Sequence, residues 1–178
     1  MQWIKEQANN NNDVKIAKKL NKLTLPPKNV DEKTWNRYGI LHRKYLMKYG
    51  GSFHQKASFL KIFIDFLFAS EYTIKDKIKF IPTALYSLRK LWLDVISINL
   101  FFEIKKADMP VYIFQGKYDY QVSTQLAKKF IEQLEAPKKE IFIFDNSAHS
   151  PNVEEYKQFN KIVIGLISKK SNKTLGDE

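Results

Sequence analysis

An aspartate and a histidine are the side chains best placed for chemistry in this sequence. Asp119 closes the run Gly116-Lys117-Tyr118-Asp119, and His149 sits in Ser147-Ala148-His149-Ser150-Pro151. An imidazole in a loop, with the small residues Ser147 and Ala148 before it, has room to act first as a base and then as an acid. A carboxylate that accepts the other ring N–H fixes the tautomer and stabilises the imidazolium that forms. Together the two side chains would activate a hydroxyl nucleophile. The plainer reading makes Asp119 a turn cap and His149 a surface loop residue, and spacing alone does not separate the two. Asp145 is a rival acid, four residues before His149, but its Asp145-Asn146-Ser147 setting is turn chemistry.

The elements around these residues give them a place in a fold. Val111 to Phe114 and Ile141 to Phe144 are short β-branched and aromatic runs bounded by turn residues, as buried parallel strands are. Between them Leu126, Ala127, Phe130, Ile131 and Leu134 follow helical spacing, with Ser123 as N-cap and Pro137 beyond the end. Strand, helix, strand is a βαβ unit. The carboxylate follows the first strand and the histidine follows the second. In open α/β sheets, functional groups gather at these carboxyl ends.

The phrases Gly116-Lys117-Tyr118-Asp119-Tyr120-Gln121-Val122 and Ser147-Ala148-His149-Ser150-Pro151 resemble the acid and histidine motifs of the α/β-hydrolase superfamily, prolyl-iminopeptidase-like branch. In that family the triad runs Ser, then Asp or Glu, then His along the chain. The resemblance implies that Asp119 orients His149. It also implies that residues 1–108 form most of a helical cap, and that residues 109–168 are the C-terminal βαβα part of the core. The implied activity is ester, amide or peptide hydrolysis, with aminopeptidase-like substrates among the options. A G-x-S-x-G nucleophile elbow is absent from the sequence, and so is an HGG-type oxyanion loop. The chain therefore looks like the C-terminal part of such a hydrolase, inactive alone, with its serine supplied from elsewhere. A reading of another class makes it a non-catalytic interaction module derived from the cap.

Gly50-Gly51-Ser52-Phe53-His54 offers a second serine near a histidine. An elbow needs a strand before it, a helix directly after it and glycines flanking the serine. Here the preceding segment is helical and the fifth residue is histidine, so the glycines read as a helix C-terminus. His42 reads as a surface residue, and Tyr118 and Tyr120 as packing residues. The three histidines lack metal-ligand spacing, so neither metal nor cofactor is expected.

The rest of the chain is helical. A helix over residues 1–23 is broken at Asn9 to Asn12 and restarts with Asp13 as N-cap. Asp31 caps a helix from Glu32 to Tyr49, whose apolar stripe is Trp35, Tyr38, Leu41, Tyr45, Leu46 and Tyr49. Ser58 to Ala69 is apolar almost all round, which predicts a helix sandwiched between layers. Thr73 and Asp76 form a capping-box pattern, and Pro82 suits the first turn of a following helix that reaches about Ile98. Ser150 and Pro151 start a last helix with Glu154 and Glu155 in its first turn. Residues 169–178 read as a polar, flexible tail.

Composition sets the frame. The 178 residues are 44% hydrophobic and 14% aromatic, which fits one globular unit rather than a disordered chain. The absence of cysteine excludes disulfides and suits a cytoplasmic setting. The opening Met-Gln-Trp-Ile-Lys-Glu does not read as a signal peptide, and no apolar stretch is long enough to span a bilayer. The net charge of +11 is concentrated early, with eleven Lys+Arg against four Asp+Glu in residues 1–50. Only three of the thirty basic residues are Arg, so this reads as a lysine-rich solvated surface and no nucleic-acid partner is expected. The expected partners are a small-molecule or peptide substrate and a missing N-terminal hydrolase part. Failing the latter, the chain would self-associate through the exposed edge of the strand at Val111.

Overall fold

The computed structural model describes residues 1–27, 30–54 and 59–174. It is a helix-rich chain around a small parallel sheet. The N-terminal helices are α1 (Gln2–Asn10), α2 (Val14–Asn21), α3 (Glu32–Lys48), α4 (Phe59–Phe68), α5 (Ile74–Ser97) and α6 (Leu100–Glu103). Then come β1 (Val111–Gly116), α7 (Thr124–Gln133), β2 (Lys139–Phe144), α8 (Pro151–Glu154) and α9 (Tyr156–Thr174).

The break between α1 and α2 falls at the asparagine run, where Asn12 takes φ +54°, a conformation asparagine tolerates. Asp13 precedes α2 without capping it through its side chain. Its carboxylate instead accepts from Lys48 Nζ (2.7 Å) and Tyr49 Oη (2.7 Å), tying the start of α2 to the end of α3. Ile4, Ala8, Leu20, Tyr45 and Leu46 fill the buried space among α1, α2 and α3. Asp31 caps α3 by accepting from the Thr34 amide at 2.9 Å, and Gly50, at φ +84°, turns the chain out of that helix.

Two expectations for the middle of the chain fail. Pro82 does not open a helix. The capping box at Thr73 and Asp76 starts α5, and the helix runs through Pro82 to Ser97. A proline costs a helix one backbone bond and a clash with the preceding turn, and long flanks on both sides absorb that cost. Nor is α4 sandwiched between layers. Ile64, Leu67 and Phe68 are exposed, Phe68 at 84%, because no described element is laid over this face. Ser58, the expected start of that helix, lies outside the described residues.

The sheet meets its sequence reading and extends it. β1 and β2 pair in parallel from Val111 with Lys139 to Gly116 with Phe144. An isolated parallel bridge between Lys106 and Glu135 continues the pairing upstream. Helix α7 is capped by Ser123, whose hydroxyl accepts from the Leu126 amide. Its C-terminal carbonyls, Glu132 O and Leu134 O, accept from Lys139 Nζ at 2.7 and 2.8 Å. Phe114 packs on Phe142 and on Phe159 of α9, with ring centroids 5.3 and 4.8 Å apart. This aromatic layer fixes α9 against one face of the sheet. The stretch expected to be a tail is still helical as far as Thr174.

Candidate active site

The carboxyl ends of β1 and β2 are zipped together just where the two candidate residues leave the sheet. The Lys117 amide donates to Phe144 O (2.9 Å) and the Tyr118 amide donates to Ser147 O (3.0 Å). Gly116 lies so close to the histidine loop that a Cβ there would sit 1.9 Å from Ala148 O. Only glycine permits this approach.

Asp119 and His149 meet across the junction. Asp119 Oδ2 lies 2.9 Å from His149 Nδ1. The same oxygen accepts from Gln115 Nε2 at 3.1 Å, while Oδ1 accepts from the amides of Gln121 (2.8 Å) and Val122 (3.1 Å). The Asp119 side chain is only 3% exposed. Burial alone pushes its pKa up, but the bonds from the His149 ring and from the Val122 and Gln121 amides outweigh it and hold the carboxyl below its usual range. An anion is an acceptor only, so His149 Nδ1 must carry the proton. In the neutral ring Nε2 is then the basic atom. The ring is 38% exposed, and among the described residues no group hydrogen-bonds to Nε2.

Gln115 is a functional neighbour that the sequence reading missed. It is a buried polar side chain within an otherwise apolar strand, and that interruption was its only signal. The 50–54 loop was read from sequence only as a helix C-terminus, and its docking on the site is a second omission. The Tyr120 amide donates to Gly51 O (3.1 Å), the His149 amide donates to Ser52 O (3.1 Å), and Ser52 Oγ donates to Gln121 Oε1 (3.2 Å). Trp3 stacks on Tyr120 (3.9 Å) and His54 on Tyr118 (3.6 Å), so both tyrosines do pack, and they do so against the helical region. Gly51 fits beneath Trp3, whose ring would lie 2.6 Å from an added Cβ. Ser52 therefore stands at the site but follows a helix and gives its hydroxyl proton to Gln121.

The remaining candidates fall elsewhere. Asp145 is exposed and pairs with Lys117 Nζ at 3.1 Å, away from the imidazole. His42 is half-buried rather than a surface residue. It stacks on Tyr38, and burial lowers its pKa. Among the described residues no group of three or more His, Asp or Glu side chains is arranged to hold a metal ion. No described helix is long and apolar enough to cross a membrane.

Fold and site describe an α/β-type arrangement, helix-rich, with an acid–histidine pair beyond a parallel strand pair. Among curated proteins the chain is similar to the probable aminopeptidase YbaC of Bacillus subtilis (strain 168), at 30% identity over 106 residues. The match takes in 60% of this chain and 33% of the relative, so the chain spans about a third of that relative's length. No protein-family profile matches the chain, and no solved structure matches it at a significant level.

Proposed function

We propose that this chain supplies the acid and histidine of a Ser-Asp-His triad in a serine hydrolase of the α/β-hydrolase type, acting on an ester, amide or peptide bond. The observation that carries the reading is the 2.9 Å contact between a buried, fourfold hydrogen-bonded Asp119 and His149 Nδ1, with Nε2 left unbonded among the described residues. The resemblance of the two motifs and the distant likeness to a probable aminopeptidase support it. In this reading residues 1–108 are the cap, residues 109–168 are the last part of the core, and the nucleophilic serine comes from a polypeptide outside this sequence.

His149 Nε2 takes the serine proton as the hydroxyl attacks the carbonyl, and returns it to the leaving group as the tetrahedral intermediate collapses. Asp119 keeps the Nδ1–H tautomer and stabilises the transient imidazolium. Base and nucleophile act as a unit, so the chain alone should hydrolyse an activated ester no faster than its His149→Ala variant.

The deciding experiment mixes the chain with the portion of the Bacillus subtilis relative outside the matched segment and applies a fluorophosphonate serine probe. The expected result is labelling of a serine in that portion, dependent on His149 and reduced by about 10⁴-fold in rate for Asp119→Asn. His149-dependent labelling of Ser52 in this chain alone would overturn the proposal.

A further inference from the structure

We propose that Glu154 and Glu155 are positioning residues for His149, and that Glu154 also makes the placement of the base depend on docking of the 50–54 loop. The inference rests on the reading of His149 as the base. Acids in a first helical turn are ordinarily explained by the helix dipole. Here α8 is only four residues long, Ser150 makes no side-chain cap bond, and Glu155 interrupts the helix at φ −122°, ψ 45°. Both carboxylates instead reach back to the loop that carries His149.

Glu155 Oε2 accepts from the Asn146 amide (3.0 Å) and from Ser147 Oγ (2.5 Å). Glu154 Oε2 accepts from the Ala148 amide (2.7 Å). The three residues immediately before His149 are thus each held by a carboxylate, through charge-assisted bonds of the short, strong kind. The amide of His149 itself is held by Ser52 O. These bonds reach the loop backbone and the Ser147 hydroxyl, so the ring inherits its position from a backbone gripped on both sides. Glu154 is also bidentate across two loops, because its Oε1 accepts from the His54 amide at 2.6 Å. The helical region and the base loop therefore share one carboxylate, and releasing one loop loosens the other. An error of about 1 Å at a catalytic group costs on the order of 10²-fold in rate, so such a grip is functional as well as structural.

The chemistry of the two carboxylates predicts different responses to one substitution. Glutamine at 154 replaces an oxygen that is needed with an NH₂ donor, so one of its two amide contacts must break. Glutamine at 155 keeps an oxygen for both of its contacts, so it should rescue what alanine removes. The test uses the full chain and two NMR readouts, amide hydrogen exchange and the downfield ring N–H resonance of His149. Glu154→Gln should speed exchange at Ala148 or His54 by about tenfold or more and weaken the ring resonance. Glu155→Ala should do the same at Asn146, and Glu155→Gln should restore both signals. Asp119→Asn is the control that should abolish the ring resonance.

Faster amide exchange with an undiminished ring resonance would make the glutamates merely structural and overturn the proposal. Equal behaviour of Glu154→Gln and Glu155→Gln would overturn it even if Glu155→Ala does not fold. A ring resonance indifferent to Asp119→Asn would instead remove the acid–base pair itself, and this inference with it.

Discussion

Replacing Gly116 with alanine strikes the acid–base pair without touching either member. An added Cβ would lie 1.9 Å from Ala148 O, 2.5 Å from Ser147 O and 2.7 Å from Ala148 C. All three are backbone atoms, so no flexible side chain can swing away. Restoring ordinary contact at about 3.5 Å requires the two loops to part by about 1.6 Å. The carboxylate and ring now stand at 2.9 Å. Parting on that scale takes them to about 4.5 Å, beyond hydrogen-bond reach. The Tyr118 to Ser147 bond across the same junction, at 3.0 Å, stretches with them. Overpacking of this kind costs about 1–3 kcal/mol, and a lost backbone bond adds about 1 kcal/mol. Gly116→Ala should therefore unfold in urea with about 2–4 kcal/mol less stability and lose the His149 ring N–H resonance. Wild-type stability with an intact ring resonance would refute the argument that the strand end and the histidine loop are in contact.

Gly39 makes the opposite case. It lies inside α3 with nothing within 4 Å of an added Cβ, so Gly39→Ala should raise stability by about 0.5–1 kcal/mol in the same urea assay. Asp119 sets a pH dependence. Its folded pKa lies below its unfolded value, so its contribution is complete above about pH 4 and is lost as pH falls through the folded pKa. The stability deficit of Asp119→Asn should accordingly be largest near neutrality and shrink in acid, and a deficit constant with pH would contradict the anionic assignment. Light scattering should report species larger than the monomer. The free edge of β1 and the exposed Ile78, Ile81, Leu85 and Leu91 of α5 leave more apolar surface than solvent favours, and a monodisperse, cooperatively unfolding monomer would refute this.

What the sequence disclosed was local. Ser123, Asp31, and Thr73 with Asp76 cap the helices they were expected to cap, because capping is decided within a few residues. The strands were legible from their β-branched and aromatic runs, and the meeting of Asp119 with His149 followed from placing both at the same end of a βαβ unit. Side chains acting at a distance were not legible. Asp13 reads as an N-cap, yet it bonds to Lys48 and Tyr49, 35 and 36 residues away. The glycines at 50 and 51 do end α3, but nothing local says that the turn then docks on residues 120 and 149. Pro82 misled because a proline suits a first turn in general, whereas here a capping box upstream had already fixed the start of α5. For α4 the apolar pattern correctly signals a surface in need of cover, while only the three-dimensional arrangement shows which faces the described residues leave open.

The pattern of satisfied and unsatisfied groups at the site carries the last step. Asp119 has a donor for each side of its carboxylate, Ser52 and Ser147 have given their hydroxyl protons to Gln121 and Glu155, and the amide of His149 is bonded to Ser52. A loop that served only as a surface connection would have no physical need for so many buried or charge-assisted bonds, each of which must outweigh the conformational entropy of ordering its partners. Their shared consequence is one imidazole held through Nδ1, with 38% of the side chain in solvent. Under the proposed reading, a base prepared in this way is complete except for the hydroxyl it would deprotonate. Ser52 and Ser147 are already committed to Gln121 and Glu155, which favours the proposal that the nucleophile lies in a second polypeptide segment.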